Sequence, residues 1–517
     1  MNRTAYSLIG VVTALAAVTG LASLNAPSDD PAAPTAASRL PVERSTLVCP
    51  QPTSSEIGET TYTAFTPKGG AERKTAGKDT AELLPAASTL EGGGQSGGKD
   101  GDGKKKGPEP VAPVKEPGVP VVAEVDRSGS PALTGSADGR LAPGWTVQQS
   151  TLVTAGTGRG LLGLSCTVPD TEFWFPGAST AEDRHDYIHL TNPDDAPAVV
   201  DLELYGKDGS VRTESGEGIN VPARATVPVL LSTLSREPVT NVVVHVVARS
   251  GRIGAQVQSL DDELGGDWLP ASVASRDGLV LPGIPADATA VRLVVFAPGE
   301  QDADLKVQLS TPTGVITPAG QETLHVRSGT TVAVDLGDIT RGEAGTLLLS
   351  PTEEGKRAPV VAAARVLRGK GSKQETAFVP ATAPIEERAS VAGSDAGAQS
   401  GDDAETDAET VLSLTAPEKA AKVRVTASAG SDGGEPVSKT YTLEAGTTTA
   451  VDDLRPNGGK GRYALTVERL SGGPVYAART LGVSEDGIPM FTVQTLPDDR
   501  GTVAVPRSEQ DLSVLLD

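Results

Sequence analysis

The stretch HLTNPDDAPAVVDLELYGKDG, residues 189–209, contains an apolar strand, a turn rich in proline and aspartate, and a second strand in which apolar and acidic residues alternate. Successive side chains of a β-strand point to opposite faces, so Val200, Leu202 and Leu204 share one face and the acidic residues between them share the other. This alternation is typical of a strand with one buried and one solvated side. The stretch therefore predicts antiparallel β-sheet.

The same pattern occurs twice more, as LVVFAPGEQDADLKVQLSTPTG from Leu293 and as LSLTAPEKAAKVRVTASAGSDG from Leu412. Two further elements follow each copy in the same order. The first is a strand, a tight turn and a strand: VPARATVPV from Val221, VRSGTTVAV from Val326 and LEAGTTTAV from Leu443. The second is a closing strand: SGRIGAQVQSL from Ser250, RAPVVAAARVL from Arg357 and SGGPVYAARTL from Ser471. The chain thus carries an internal repeat of about 110 residues.

The turns of the strand-turn-strand elements differ in one residue. Gly329 and Gly446 lie where a hairpin turn needs a positive φ, whereas Arg224 has that place in the first copy. Glycine adopts positive φ without steric cost, and other residues rarely do. We therefore expect the first copy to turn differently.

These features predict an all-β fold of tandem antiparallel β-sandwiches, immunoglobulin-like, after a single N-terminal transmembrane helix. A single large β-propeller is the alternative, but its blades are about 40 to 50 residues long, much shorter than the repeat. The expected organisation is a signal anchor or signal peptide (1–25), a tether (26–44), a first β-sandwich region (45–275) with a disordered insertion (68–117), a second sandwich (276–384), a disordered acidic linker (385–410) and a third sandwich (411–517).

The N-terminal segment predicts where in the cell the protein is located. Residues 5–24 are apolar and uncharged, long enough to cross a bilayer core of about 30 Å. Arg3 precedes this run and Asp29 and Asp30 follow it, an arrangement that favours an extracytoplasmic body. The protein is then membrane-anchored, or secreted if the segment is cleaved. The net charge of −22 excludes nucleic acid as an expected partner, because phosphate binding needs clustered basic residues.

Cys49 and Cys166 are the only cysteines of the chain. In an oxidising compartment a pair of cysteines favours one disulfide over a catalytic thiol or half of a metal site. Cys166 lies in RGLLGLSCTVPDTEFWFPGAST, residues 159–180, which also contains the aromatic triplet Phe173 to Phe175. We expect a disulfide-fixed corner here with Trp174 filling the core, and a binding site as the alternative if Trp174 is exposed.

Chemistry-bearing residues elsewhere are few. His185 and His189 share one face of a strand, so a metal pair is an alternative to a structural role, although the sequence offers no third ligand. DDELGGDW, residues 261–268, lacks the spacing of a calcium loop and is expected to be a solvated loop, with weak calcium binding left open. The sequence indicates no catalytic residue, no cofactor and no metal site; Trp174, Trp268, His185 and His189 are the candidate binding surface.

LVCP at residues 47–50, then RGLLGLSCTVPDTEFWFPG and HLTNPDDAPAVVDLELYGKDG, resemble in this order a family of actinobacterial secreted or membrane-anchored proteins, known as domain of unknown function five-seven-one-nine. The resemblance extends from about Ser45 onward. It implies an envelope location and a Cys49–Cys166 pairing. It implies no activity and no catalytic residues.

Together these observations lead us to expect a non-enzymatic extracytoplasmic envelope protein that acts as a scaffold, adhesion or binding element, with an unknown envelope protein or glycan as partner. The alternative is an accessory protein of cell-wall or surface-glycan assembly that recognises a polysaccharide or a partner enzyme. A hydrolase is a third and less favoured reading, since aromatic residues that stack on sugars make up only 3% of the chain.

Overall fold

The structure, a computed structural model, describes residues 38–69, 79–88, 109–126, 129–353, 357–396 and 408–505. These residues form 36 β-strands and three short 3₁₀ helices, Gly139–Leu141, Leu231–Thr233 and Gly371–Lys373. The expected all-β fold of antiparallel sheets is confirmed. The predicted N-terminal helix and most of the tether lie outside the described residues. Within the described part of the chain, no helix is long and apolar enough to span a membrane.

The chain divides into two compact units, residues 1–40 with 503–517 and residues 41–502. Strands β1 (Ser38–Pro41) and β36 (Thr502–Val505), at the boundaries of the smaller unit, pair in a two-stranded sheet. The larger unit contains every other strand and all the candidate site residues.

In the larger unit the described strands form four pairs of sheets, which we call sandwiches 1 to 4. Sandwich 1 has the sheet orders β2-β7-β4 and β6-β3-β8-β9. Its strands are β2 (Arg44–Cys49), β3 (Glu59–Phe65), β4 (Thr80–Pro85), β6 (Val121–Val125), β7 (Leu133–Asp138), β8 (Thr146–Val153) and β9 (Gly160–Ser165).

Sandwich 2 has the sheet orders β10-β16-β12-β13, with β14 on β12, and β18-β17-β11-β15-β5. The short strand β5 (Ala87–Ser88) comes from the chain between β4 and β6. The other strands are β10 (Glu172–Ala178), β11 (Arg184–Thr191), β12 (Ala198–Gly206), β13 (Gly209–Val211), β14 (Ile219–Val221), β15 (Ala225–Leu230), β16 (Val242–Ser250), β17 (Gly254–Asp261) and β18 (Gly265–Leu269).

Sandwich 3 has the sheet orders β19-β25-β21-β22, with β23 on β21, and β24-β20-β26-β27. Its strands are β19 (Leu279–Ile284), β20 (Ala290–Phe296), β21 (Ala303–Thr311), β22 (Gly314–Ile316), β23 (Thr323–Val326), β24 (Thr331–Gly337), β25 (Gly345–Pro351), β26 (Val361–Arg368) and β27 (Glu375–Pro380).

Sandwich 4 has the sheet orders β28-β33-β30-β31 and β32-β29-β34-β35. Its strands are β28 (Arg388–Asp395), β29 (Glu409–Ala416), β30 (Ala421–Ala427), β31 (Val437–Leu443), β32 (Thr447–Val451), β33 (Arg462–Gly472), β34 (Tyr476–Glu485) and β35 (Ile488–Thr495).

The four sandwiches share one plan of seven main strands, which we letter A to G in chain order. Strands A, E and C form the first sheet in the order A-E-C, and the others form the second sheet in the order D-B-F-G. Strand A therefore pairs with strand E, whereas in immunoglobulin constant domains strand A belongs to an ABED sheet and lies beside strand B. The tandem sandwiches match the expectation, but their strand order differs from that of an immunoglobulin domain.

The alternating strands C place their apolar residues in the cores, as expected. Val200, Leu202 and Leu204 are all at most 1% exposed and lie in the core of sandwich 2. Burying each such side chain contributes about 1.5 to 3 kcal/mol. The period-2 pattern therefore identifies the buried face of these strands.

The four sandwiches close a ring, which the sequence did not indicate. The G strands lie together at the centre: β9 contacts β18, β18 contacts β27, β27 contacts β35, and β35 contacts β9. In three of the interfaces one aromatic side chain of a G strand enters the core of the preceding sandwich. Trp268 packs in the core of sandwich 1, Phe378 in that of sandwich 2 and Phe491 in that of sandwich 3.

The interface that closes the ring lies between sandwiches 4 and 1. It contains two small apolar clusters, one of Phe65, Ala392 and Ala464 and one of Leu161, Leu481 and Met490. Arg388 pairs with Asp499, to which its Nε donates over 2.6 Å, and reaches sandwich 1 through its Nη1, which donates to the carbonyl of Gly69 over 2.7 Å. We call this interface the closing seam.

Three sequence expectations need correction. Residues 45–275, expected to form one sandwich region, contain two sheet pairs. The insertion 68–117, expected to be disordered, contains β4, where Leu83 is fully buried and pairs with β7. The linker 385–410, also expected to be disordered, contains β28 and the start of β29. Short strands inside polar, glycine-rich sequence have too little apolar periodicity to be recognised; residues 70–78, 89–108 and 397–407 lie outside the described residues.

The expectation for the first turn was also wrong. Arg224 has a φ of +53°, in the same left-handed region as Gly329 at +67° and Gly446 at +74°. The arginine is held there by a hydrogen bond from its backbone N–H to the carbonyl of Asp194, 3.1 Å long, and by an ion pair with Asp195. Local contacts thus impose on an arginine a turn that glycine adopts freely.

Candidate functional site

Cys49 and Cys166 form a disulfide, as predicted. Cys49 ends β2 and Cys166 directly follows β9, and their Cα atoms are 4.6 Å apart. Both are buried within the core cluster of sandwich 1. Next to the disulfide, Val48 and Thr167 exchange two backbone hydrogen bonds of 2.8 Å. The corner is therefore fixed covalently and by backbone pairing.

Trp174 does not fill the core, which corrects the expectation for the aromatic triplet. Phe173 and Phe175 point into the core of sandwich 2, because successive side chains of β10 alternate between faces. Trp174 lies on the outer face of the sheet and is half-buried. The triplet therefore divides between the core and a surface.

The indole of Trp174 stacks on the imidazole of His245, with ring centroids 3.6 Å apart and an interplanar angle of 7°. The two residues are directly paired across β10 and β16. His245 Nε2 lies 3.0 Å from Glu172 Oε1, and His245 Nδ1 lies 2.8 Å from Glu203 Oε2. Trp174 Nε1 also donates to Glu172 Oε1, over 3.2 Å. Two carboxylates thus hold the histidine by both ring nitrogens under the indole.

Tyr205 completes the cluster. Its hydroxyl donates to Glu203 Oε2 over 2.8 Å, and its ring lies 4.8 Å from that of Phe296, in sandwich 3. Burial and the hydrogen bond to this carboxylate raise the pKa of Tyr205 to about 12. The pKa of Glu203 is lowered: burial raises it, but hydrogen bonds from His245 and Tyr205 outweigh burial. Both groups keep their ordinary charge near neutral pH.

We call Glu172, Trp174, Glu203, Tyr205 and His245 the Trp174 surface. Its carboxylates are accessible, since the side chains of Glu172 and Glu203 are 58% and 47% exposed. A half-buried indole beside two carboxylates presents an apolar group next to strong hydrogen-bond acceptors, a combination suited to polar ligands with apolar faces. Trp174 indicated this surface in the sequence, but its partners come from β12 and β16, and the register of distant strands is not readable from a sequence.

The other predicted surface residues are elsewhere. Trp268 is 1% exposed and His189 is 6% exposed, so neither is on a surface. Their rings lie 5.4 Å apart in the interface between sandwiches 1 and 2, and burial lowers the pKa of His189 to about 4. His185 is half-buried, with Nε2 3.6 Å from Asp262 Oδ1. All three belong to the second sheet of sandwich 2, whereas Trp174 belongs to the first.

The expectation of a solvated loop at residues 261–268 was wrong, because Asp261 ends β17 and Asp267 lies in β18. Asp261 is buried and its Oδ2 accepts from Arg365 Nη2 of sandwich 3 over 2.8 Å. Asp267 is fully buried at the ring centre, where its Oδ1 accepts from the Gly163 N–H over 3.0 Å and from the Thr492 hydroxyl over 3.1 Å. Burial raises the pKa of Asp267 well above its ordinary range. These groups connect sandwiches, and the described residues contain no cluster of three His, Cys, Asp or Glu placed to hold a metal ion.

A cleft of about 980 Å³ opens at the closing seam. One wall is formed by β6 and the chain before it, and includes Pro113, Lys115, Glu116, Val119, Pro120, Val121, Val122 and Glu124. The opposite wall belongs to sandwich 4 and consists of Asp395, Ser431, Asp432, Gly461 and Arg462. Ligand pockets are frequent at such interfaces and have volumes of about 300 to 1,000 Å³. No motif of the sequence indicated this cleft, because its walls come from segments far apart in the chain.

The larger unit is thus a ring of four all-β sandwiches, the first of which contains a disulfide. The chain belongs to the family of unknown function DUF5719, whose model matches residues 121–453. The match begins at β6 of sandwich 1 and ends just after β32 of sandwich 4, so Cys49 precedes it. No curated protein and no solved structure matches the chain.

Proposed function

We propose that this chain is a non-enzymatic protein of the cell envelope that works outside the cytoplasm as a rigid binding or scaffold element. The observation that carries the location is the buried Cys49–Cys166 disulfide. Structural disulfides form and persist in oxidising compartments and are rare in the cytosol. The apolar run at residues 5–24 supports the same location, as an anchor or as a cleaved signal peptide.

The closed ring supports the role of a rigid element. Three aromatic side chains are buried in the core of a neighbouring sandwich, those of Trp268, Phe378 and Phe491. Aromatic side chains bury about 150 to 250 Å² each, so such contacts hold neighbouring sandwiches at fixed angles. A ring of fixed units presents separate surfaces in a constant geometry, which suits a scaffold.

A second candidate, recognition of a surface polysaccharide, rests on the Trp174 surface. The half-buried indole of Trp174 offers an apolar contact for a sugar ring beside its stack on His245, and the exposed carboxylates of Glu172 and Glu203 offer acceptors for the sugar's hydroxyl groups. In this proposal the protein is an accessory of glycan assembly, and sandwich 2 is its recognition unit.

The location is tested by treating intact cells with a protease that does not cross membranes, followed by detection of the chain. We expect digestion of the body, with a cytoplasmic protein as the uncleaved control. Full protection in intact cells, with digestion after lysis, would contradict the proposal.

The polysaccharide candidate is tested by co-sedimentation with purified cell-wall polysaccharide from the producing organism. We expect Trp174→Ala and Glu203→Gln to weaken binding by about tenfold or more, because each removes one part of the surface. Glu300→Gln, an exposed carboxylate of sandwich 3, is the matched control. Thermal unfolding shows whether each variant folds. Equal sedimentation of all variants, or none for the wild type, would exclude this surface as the glycan site.

A further inference from the structure

The cleft at the closing seam meets β6 along its edge. Val121 and Val122 both line the cleft, although successive side chains of a strand point to opposite faces of the sheet. Val121 packs against the core of sandwich 1, so a cleft outside the sandwich that includes Val121 extends to the edge of β6. In the described part of the chain β6 pairs with β3 alone, so the outer edge of β6 faces the cleft with its backbone N–H and C=O groups.

The equivalent edge of sandwich 2 carries an added strand. There β15, which is strand D like β6, pairs with β11 on one side and with β5 in parallel on the other. Ala225 is paired with Ala87 and Thr226 with Ser88, and the Ala87 N–H donates to the carbonyl of Arg224 over 3.0 Å. An extended segment from outside the sandwich therefore already occupies this edge once in the molecule.

The charges of the cleft favour a basic occupant. Four carboxylates line it, Glu116, Glu124, Asp395 and Asp432, against the cations Lys115 and Arg462. Arg462 Nη1 is 3.1 Å from Asp395 Oδ2, so that pair is internally compensated. Glu116, Glu124 and Asp432 are exposed, and the whole chain carries a net charge of −22, which attracts a cationic segment over a distance.

We propose that the edge of β6 binds an extended, lysine- or arginine-rich segment of a partner protein as an added β-strand. Backbone hydrogen bonds to β6 supply the affinity, as in other cases of strand addition to an open sheet edge. Glu116, Glu124 and Asp432 select basic side chains on the added strand. The site is distinct from the Trp174 surface and does not depend on polysaccharide binding.

The test uses the purified protein and an array of fluorescent octapeptides in which lysine or arginine alternates with apolar residues. Each peptide is matched by a form in which every internal backbone nitrogen is methylated, which has the same charge but lacks the N–H donors of both strand edges. We expect fluorescence anisotropy to show binding of a subset of the peptides, reduced by about tenfold or more in their methylated forms. Hydrogen exchange measured by mass spectrometry should slow at residues 121–125 in the presence of the best peptide.

The charge requirement is tested with Glu116→Lys/Glu124→Lys. This double variant should lower the affinity of the best peptide by about tenfold. Glu300→Lys/Glu418→Lys makes the same change of charge at exposed positions that do not line the cleft, and should leave the affinity within about twofold of the wild type. Equal binding of the methylated peptides, equal losses in both double variants, or no peptide binding would each overturn the proposal.

Discussion

Arg159 and Glu375 form an ion pair between sandwiches 1 and 3, which are opposite each other in the ring, with 2.6 Å between Nε and Oε1. The Glu375 side chain is only 1% exposed, and Arg159 Nη2 also donates to the carbonyl of Gln374 over 2.9 Å. Burial raises the pKa of Glu375 from 4.5 to about 7, although Arg159 acts to lower it. The centre of the ring therefore contains a carboxyl group that titrates near neutral pH.

The titration of Glu375 predicts a pH dependence of stability. The pKa of Glu375 is higher in the folded protein than in the unfolded chain. Between pH 4.5 and about 7 the folded protein therefore keeps a proton on this group that the unfolded chain has released. The free energy of unfolding must fall as pH rises through this window. In Glu375→Gln this contribution is absent. Between pH 5 and pH 8 we therefore expect the free energy of unfolding to fall by about 1 to 3 kcal/mol more in the wild type than in the variant.

Urea denaturation at several pH values measures this difference. Other groups also titrate, so the informative quantity is the wild type minus Glu375→Gln at each pH. Glu300→Gln should have the slope of the wild type. A difference that stays constant from pH 5 to pH 8 would contradict the raised pKa.

Asp267 predicts a contrast between two substitutions. Asparagine retains an acceptor oxygen for the Gly163 N–H and the Thr492 hydroxyl, whereas alanine leaves both donors buried without it. We expect the free energy of unfolding of Asp267→Asn to remain within about 1 kcal/mol of the wild type and that of Asp267→Ala to be about 2 to 4 kcal/mol lower. Chemical denaturation at pH 7 checks this order. Similar losses of stability in both variants would show that the hydrogen bonds accepted by Asp267 do not stabilise the fold.

Arg224 predicts a stabilising substitution. Its φ of +53° is unfavourable for an arginine and free of steric cost for glycine. Arg224→Gly gives up only an exposed ion pair with Asp195, which contributes little. We expect a gain of about 0.5 to 1 kcal/mol in the free energy of unfolding. Arg236→Gly, at another exposed arginine, is the comparison and should not stabilise.

The disulfide predicts a loss of stability on removal. Cys49 and Cys166 are separated by 117 residues, so the bond restricts a long loop of the unfolded chain. We expect Cys49→Ser/Cys166→Ser to lose about 2 to 5 kcal/mol in urea denaturation. Reducing agent should shift the wild type to the same midpoint and should leave the double variant unchanged. A reduced wild type as stable as the oxidised protein would remove the structural role of the bond.

The sequence predicted those parts of the fold that depend on local pattern. Alternation placed Leu305, Val307 and Leu309 on one face, and all three are buried in the core of sandwich 3. Sandwich 1 was missed because β4 is a short strand within polar sequence, although Leu83 is fully buried. To predict a core from sequence, the neighbouring strands must be recognised as well as the pattern of a single strand.

The contacts between sandwiches could not be predicted from the pattern. Asp267 meets Gly163 and Thr492, which are 104 and 225 residues away along the chain. Trp174 was expected in the core because aromatic residues are usually buried, but the period of two on β10 gives that place to Phe173 and Phe175. The site residues Glu203 and His245 have ordinary surroundings in the sequence and became recognisable only through the strand register.

The most direct measurement of the proposed extracytoplasmic role is the thiol content of the protein recovered from intact cells. Cells are lysed in denaturant with a thiol-reactive label, without reductant, and the label is counted by mass spectrometry; a second sample is reduced first. The account predicts no label on Cys49 or Cys166 in the first sample and label on both in the second. Two labelled cysteines in the unreduced sample would contradict it.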